Sequence, residues 1–183
     1  MGRNLVTCLV VLLLGEPSYA DDKTAEQTKA AKEFTFEGVN FSTTLGKFKE
    51  LFPGAKKYDE QTDTKVGTAA FITPVKAASI LHCYFFKDNM HGMRIIYYAE
   101  KVNKIGGPFV ILDRLKEKFG EADADRTVRV GPPLLIKVRW TMKDAKRFIS
   151  VYVDERLTQV DIIDTEVHDK IREAQKKATE VGF

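Results

Sequence analysis

"LHCYFFKDNMHGMRIIYY" fills residues 81 to 98, and the way it is paired decides the fold. Aromatic and aliphatic residues flank one polar interruption at Asp88-Asn89, the pattern of two antiparallel strands joined by a two-residue turn. With that turn, Phe86 stands opposite His91, Tyr84 opposite Met93 and His82 opposite Ile95. Opposed residues share a face. His82, Tyr84, Phe86, His91, Met93 and Ile95 are therefore expected on one side of the sheet. Ile72, Leu81, Cys83, Phe85, Arg94, Ile96 and Tyr98 fall on the other.

The pattern returns 67 positions later in "FISVYVDERLTQVDIIDT" (148 to 165), with its turn at Glu155-Arg156. Upstream, "LGKFKELFPGA" (45 to 55) aligns without a gap on "LDRLKEKFGEA" (112 to 122), identical at five of eleven positions. "AAFITP" (69 to 74) falls on "IKVRWT" (136 to 141) at the same offset. Three segments sharing one offset predict an internal duplication. Each copy reads as a helix followed by a three-strand meander.

In the first copy, Ser42, Thr43 or Thr44 caps a helix carrying Leu45, Phe48 and Phe52, and Pro53-Gly54 stops it. In the second, Pro108 starts a helix with Ile111, Leu112, Leu115 and Phe119 on its apolar stripe, and Gly120 ends it. "EFTFEGVNF" (33 to 41) alternates like a leading strand. "NKIGG" (103 to 107) is the joint between copies, and "VGPP" (130 to 133) breaks the chain before the second meander. The predicted class is α+β: two tandem helix-plus-meander units, 34–102 and 103–165, forming an antiparallel sheet with helices packed on one face. A charged helix occupies the tail within 166–183.

The N-terminus reads as an export signal. Arg3 precedes an apolar run from Leu5 to Leu14, and Ser18-Tyr19-Ala20 fits a cleavage site after Ala20. Ten apolar residues are too few for a membrane-spanning helix, which needs about 20. Residues 1–20 are thus a signal peptide and 21–33 a polar arm, and the expected destination is the periplasm or the exterior. Beyond the signal only Cys83 remains, so no internal disulfide is expected. The net charge of +3 is spread over interspersed residues of both signs, which argues against nucleic acid as a partner.

In the second copy, Ile149, Val151, Val153, Thr158, Val160 and Ile162 are nearly all apolar, with Ile136, Val138 and Trp140 in the same layer. That side is expected to pack under the helices. The opposite side mixes aromatic, aliphatic and charged residues, including Lys137, Arg139, Phe148, Ser150, Tyr152, Asp161 and Ile163. An apolar patch rimmed by charge marks an interaction surface. Phe85, Arg94, Tyr98, Arg139, Tyr152 and Asp161 are the expected partner contacts, because aromatic and arginine residues dominate interface energetics.

No catalytic, metal or cofactor site is expected. His82 and Cys83 point to opposite faces of a regular strand, and no HExxH or paired-cysteine spacing exists. Glu121, Asp123 and Asp125 lack the ordered ligands and central glycine of an EF-hand loop. "NFS" at Asn40 matches a glycosylation acceptor, which has meaning only in a eukaryotic secretory path.

The lead-in "GVNFSTTLGKFKELFPGA" and the hairpin "YFFKDNMHGMRII" together resemble the β-lactamase-inhibitor-protein-like architecture, and single units resemble the BamE (SmpA/OmlA) domain of bacterial envelopes. The resemblance spans roughly residues 36 to 165. It implies an exported, non-enzymatic binding module whose sheet face presents aromatics to a protein or cell-envelope component. The lipid-attachment cysteine of a BamE-type lipoprotein is missing, since Cys8 lies inside the apolar run. The alternative is a carrier of a small ligand or lipid in a cleft between the two units. An enzyme built on Cys83 and the histidines is the third reading.

Overall fold

The computed structural model describes residues 34–129, 135–142 and 147–180. The expected signal segment, the polar arm and the break at 130–133 lie outside the described residues.

The strands are β1 (Lys56–Lys57), β2 (Thr68–Pro74), β3 (Ile80–Phe86), β4 (Asn89–Tyr98), β5 (Ala124–Arg129), β6 (Leu135–Met142), β7 (Arg147–Val153) and β8 (Leu157–Asp164). They form one sheet in the order β1-β2-β3-β4-β8-β7-β6-β5, every neighbour antiparallel. Seven strands are of full length, and β1 is a two-residue edge. The meanders β2-β3-β4 and β6-β7-β8 meet along β4 and β8, where Arg94 faces Asp161. The α-helices are α1 (Leu45–Leu51), α2 (Ala99–Lys104), α3 (Pro108–Phe119) and α4 (Thr165–Glu180).

Local chemistry sets the helix ends. Thr44 caps α1 by accepting a hydrogen bond from the Lys47 amide at 3.3 Å. Pro108 occupies the first turn of α3, and Gly120 ends that helix at φ 79°, a conformation that favours glycine. The inner face of the sheet is the core. On it, Phe48 of α1 packs against the rings of Phe71 and Phe85 at 5.7 and 5.4 Å. Ile111, Leu115 and Phe119 of α3 are buried in the same cluster as Ile95, Trp140, Val151 and Ile162. The indole nitrogen of Trp140 donates to the Gly120 carbonyl at 2.9 Å, tying β6 to the end of α3.

Three segments differ from their expected form. Residues 34–41 form no strand: Glu37 and Gly38, both at positive φ, reverse the chain so that Phe36 bridges Val39. In the joint at 103–107, Asn103 and Lys104 belong to the short helix α2, and only the positive-φ pair Gly106-Gly107 is free to redirect the chain. The tail helix α4 packs against β7 and β8, and its buried Ile171 stands apart from the main core cluster.

The opening hairpin is paired differently from its expected register. Its turn is Lys87-Asp88, at φ 47° and 72°, flanked by Phe86 opposite Asn89. Moving the turn by one residue preserves the parity of opposed pairs. A bulge then breaks it: Phe85 faces Met90 but Tyr84 faces Gly92, leaving His91 as the extra residue. β4 is thereby turned over relative to β3. Met93 and Ile95 point into the core as expected, but so do Leu81, Cys83 and Phe85, while His82 and Tyr84 point out. The turn at Glu155-Arg156 lies where the sequence puts it, and every expected inner residue of β6, β7 and β8 is buried.

Trp140 is the chain's single tryptophan and is buried, so its emission should be blue-shifted in the native state and report unfolding. Trp140→Phe should lower stability by about 1–3 kcal/mol, because it removes buried volume and leaves the Gly120 carbonyl without its donor. Urea titration followed by circular dichroism measures this.

Candidate functional site

The outer face of the sheet carries ordered rows of side chains because strand residues alternate. The central row crosses six strands: Ile72, His82, Arg94, Asp161, Ser150 and Arg139 stand successively opposite one another. At its middle, Arg94 Nε donates to Asp161 Oδ1 at 2.7 Å and Nη2 reaches Oδ2 at 3.5 Å. Gln159 Nε2 adds a bond to Asp161 Oδ2 at 2.7 Å. Burial is the largest single influence on Arg94 and opposes its charge, but the Asp161 hydrogen bond together with the charges of Tyr84, Asp161 and Tyr58 outweighs it, and the guanidinium pKa is raised.

Beside this row runs a ladder of rings. Tyr58, which follows β1, stacks edge-on to His82 at 5.9 Å; His82 lies 6.4 Å from Tyr84, and Tyr84 6.2 Å from His91. Gly92 makes room for it. A Cβ there would stand 3.2 Å from Tyr84 Cδ2 and 3.4 Å from the Ile162 carbonyl oxygen, so the glycine lets the Tyr84 ring lie across β4. The ring also shields its surroundings. His82 Nδ1, Tyr84 Oη and His91 Nδ1 are buried and have no hydrogen-bond partner among the described residues.

Burial shapes their titration. The Tyr84 hydroxyl is pushed up to about 12, and His82 is lowered by burial and then by Arg94. His91 falls to about 4, through burial first and His168 second, against a smaller opposing pull from Asp164. At neutral pH the ladder is therefore uncharged and sits next to an ion pair. Cys83 contributes nothing here. It is buried on the inner face with its thiol pushed up to about 12 by burial, so the nucleophilic thiolate is disfavoured. Among the described residues no group of three His, Cys, Asp or Glu side chains is arranged to hold a metal ion.

Of the six residues expected at the free face, five are on it. Arg94 and Asp161 form the central pair. Tyr98 and Tyr152 are 48% and 36% exposed. Arg139 lies over the Phe148 ring at 4.5 Å, a cation–π stack. Phe85 is the exception: it is 1% exposed and belongs to the core, because the bulge at His91 separates the parity of β3 from that of β4. His82, Tyr84 and His91, expected in the core, stand on the outer face, and Tyr58, which the strand pattern does not single out, joins them. Gly92 was the available signal, since a glycine inside a strand pattern often marks a bulge or a close approach.

The sign of the pH dependence follows from the histidines. Their native pKa values lie below the unfolded value, so between about pH 6.5 and 4 the unfolded chain binds protons that the native chain does not. Stability should be full above about pH 6.5 and decline as pH falls towards 4. His91→Phe should flatten that decline, as denaturant midpoints at pH 7.5 and 5 would reveal. In a double-mutant cycle, Arg94→Ala and Asp161→Ala should each cost about 1–2 kcal/mol, with a coupling energy of about 0.5–2 kcal/mol. No protein-family model, curated protein or solved structure matches the chain, so its function is argued from these side chains.

Proposed function

We propose that the chain is an exported, non-enzymatic interaction module that binds a protein or cell-envelope component through the outer face of its sheet. The observation that supports this best is the division of that face. At one end α4 sits near His91; at the other, Tyr98 and Tyr152 are exposed. Between them lie Arg94 and Asp161, the uncharged ladder, and the Arg139–Phe148 stack. A partner covering this region would bury aromatic area at Tyr98 and Tyr152 and could pair with Arg139. Arg139, Tyr98 and Tyr152 are the anchors on this reading, and Phe85 is withdrawn from the contact set.

We further read the chain as an internal duplication of the kind found in β-lactamase-inhibitor-protein-like and BamE-like architectures. In its favour, β2 and β6, and β4 and β8, carry their inward residues at the offset of 67. Phe71 corresponds to Val138 and Met93 to Val160. β3 and β7 correspond one position further along, Cys83 with Val151. That step would come from one extra residue between β6 and β7, compensated by the extra residue His91 in the first hairpin.

The mature chain immobilised over an envelope extract of its source should capture a defined species. Tyr98→Ala combined with Tyr152→Ala should weaken that capture by about 30-fold or more, with the circular dichroism unchanged. Phe109, 56% exposed on α3, serves as the control. Capture that survives the double substitution but is lost in Phe109→Ser would overturn the proposal.

A further inference from the structure

On the inner side of the sheet, a cavity of about 280 Å³ opens between α3 and the β4–β8 seam. Its floor is Ile95 of β4 and Val160 of β8, one residue from each meander, and Ile111 and Leu115 of α3 form a wall. Both floor residues and both wall residues are buried. The volume lies just below the range for ligand pockets, roughly 300–1,000 Å³, and suits a small ligand.

Two cations stand at its mouth. Arg114 and Lys118, one turn apart on α3, both line the opening and are exposed. Neither has a carboxylate within ion-pair distance among the described residues; Lys118 instead lies over the ring of Phe34 at 5.2 Å. Glu37 also stands nearby, its carboxylate accepting the Ala77 amide at 2.7 Å. The half-buried Tyr97 phenol also lines the cavity and senses both Arg114 and Glu37.

We infer that this cavity is a binding site for a medium-chain aliphatic carboxylate, its alkyl chain on Ile95, Val160, Ile111 and Leu115 and its head group between Arg114 and Lys118. An apolar pocket with a few convergent polar groups at its rim fixes both the chain and the orientation of such a ligand. A neutral chain of the same length would gain the apolar contact but no attraction from the two cations. The site lies on the opposite side of the sheet from Tyr98 and Tyr152, so it does not depend on the outer-face reading.

The test is calorimetric titration of the mature chain with decanoate below its micelle concentration, with decanol and decylammonium as comparisons. Decanoate should bind at one site at least tenfold more tightly than decanol, and decylammonium should not bind. Arg114→Glu, an exposed change, should raise the decanoate Kd by tenfold or more. Ile105→Trp, which fills the cavity from its edge, should abolish binding. Should Ile105→Trp fail to fold, the Arg114→Glu arm decides alone. No decanoate binding, equal affinity for decanol, or binding indifferent to Arg114→Glu would overturn the assignment.

Discussion

The pairing of β4 with β8 is the constraint on which the other contacts depend. Each meander alone is a three-stranded sheet with two open edges, and a small antiparallel sheet is stable only when a hydrophobic face is covered. Joining β4 to β8 removes one edge from each meander. It places Met93, Ile95, Val160 and Ile162 side by side under α3. Arg94 and Asp161 lie opposite one another in this seam and hold its register from the outer side. A slip of one residue would turn every core side chain of β8 outward and separate that pair. Apolar pattern and ion pair therefore specify the same alignment.

The second meander was legible because its strands state their parity without ambiguity. Ile149, Val151 and Val153 alternate with Phe148, Ser150 and Tyr152, and Glu155-Arg156 is a polar turn between two such runs. β3 gives no such statement. Leu81, His82, Cys83, Tyr84, Phe85 and Phe86 are all apolar or amphipathic, so either parity buries a respectable set. Its orientation is fixed by β2 and by the bulge. Phe71 opposite Cys83 and Phe85 opposite Met90 surround Phe48 of α1, a choice made by tertiary packing. A sequence read without the bulge assigns β4 correctly and inverts β3. That is why Arg94 and Tyr98 were found and His82 and Tyr84 were missed.

The missed residues share one physical property. Tyr58, His82, Tyr84 and His91 are amphipathic rings, equally at home at the edge of a core and on a contact surface. Their identity does not disclose which. Two imidazole nitrogens and one phenol oxygen among them are buried without partners among the described residues, whereas polar groups in a core are usually paired. Polar atoms left buried and unpaired cost free energy, which sets this row apart from the apolar inner face.

Strand alternation makes the seam serve both sides of the sheet. Arg94 and Asp161 stand on the outer face, while the next residue of β4 and the preceding residue of β8, Ile95 and Val160, floor the inner cavity. The outer surface and the inner cavity are therefore separated by one thickness of backbone, with no loop or hinge between them. A substitution at Arg94 or Asp161 that shifts the seam would move Ile95 and Val160 with it. Variants meant to probe one side alone are better placed away from the seam, at Tyr98 and Tyr152 outside and at Arg114 within.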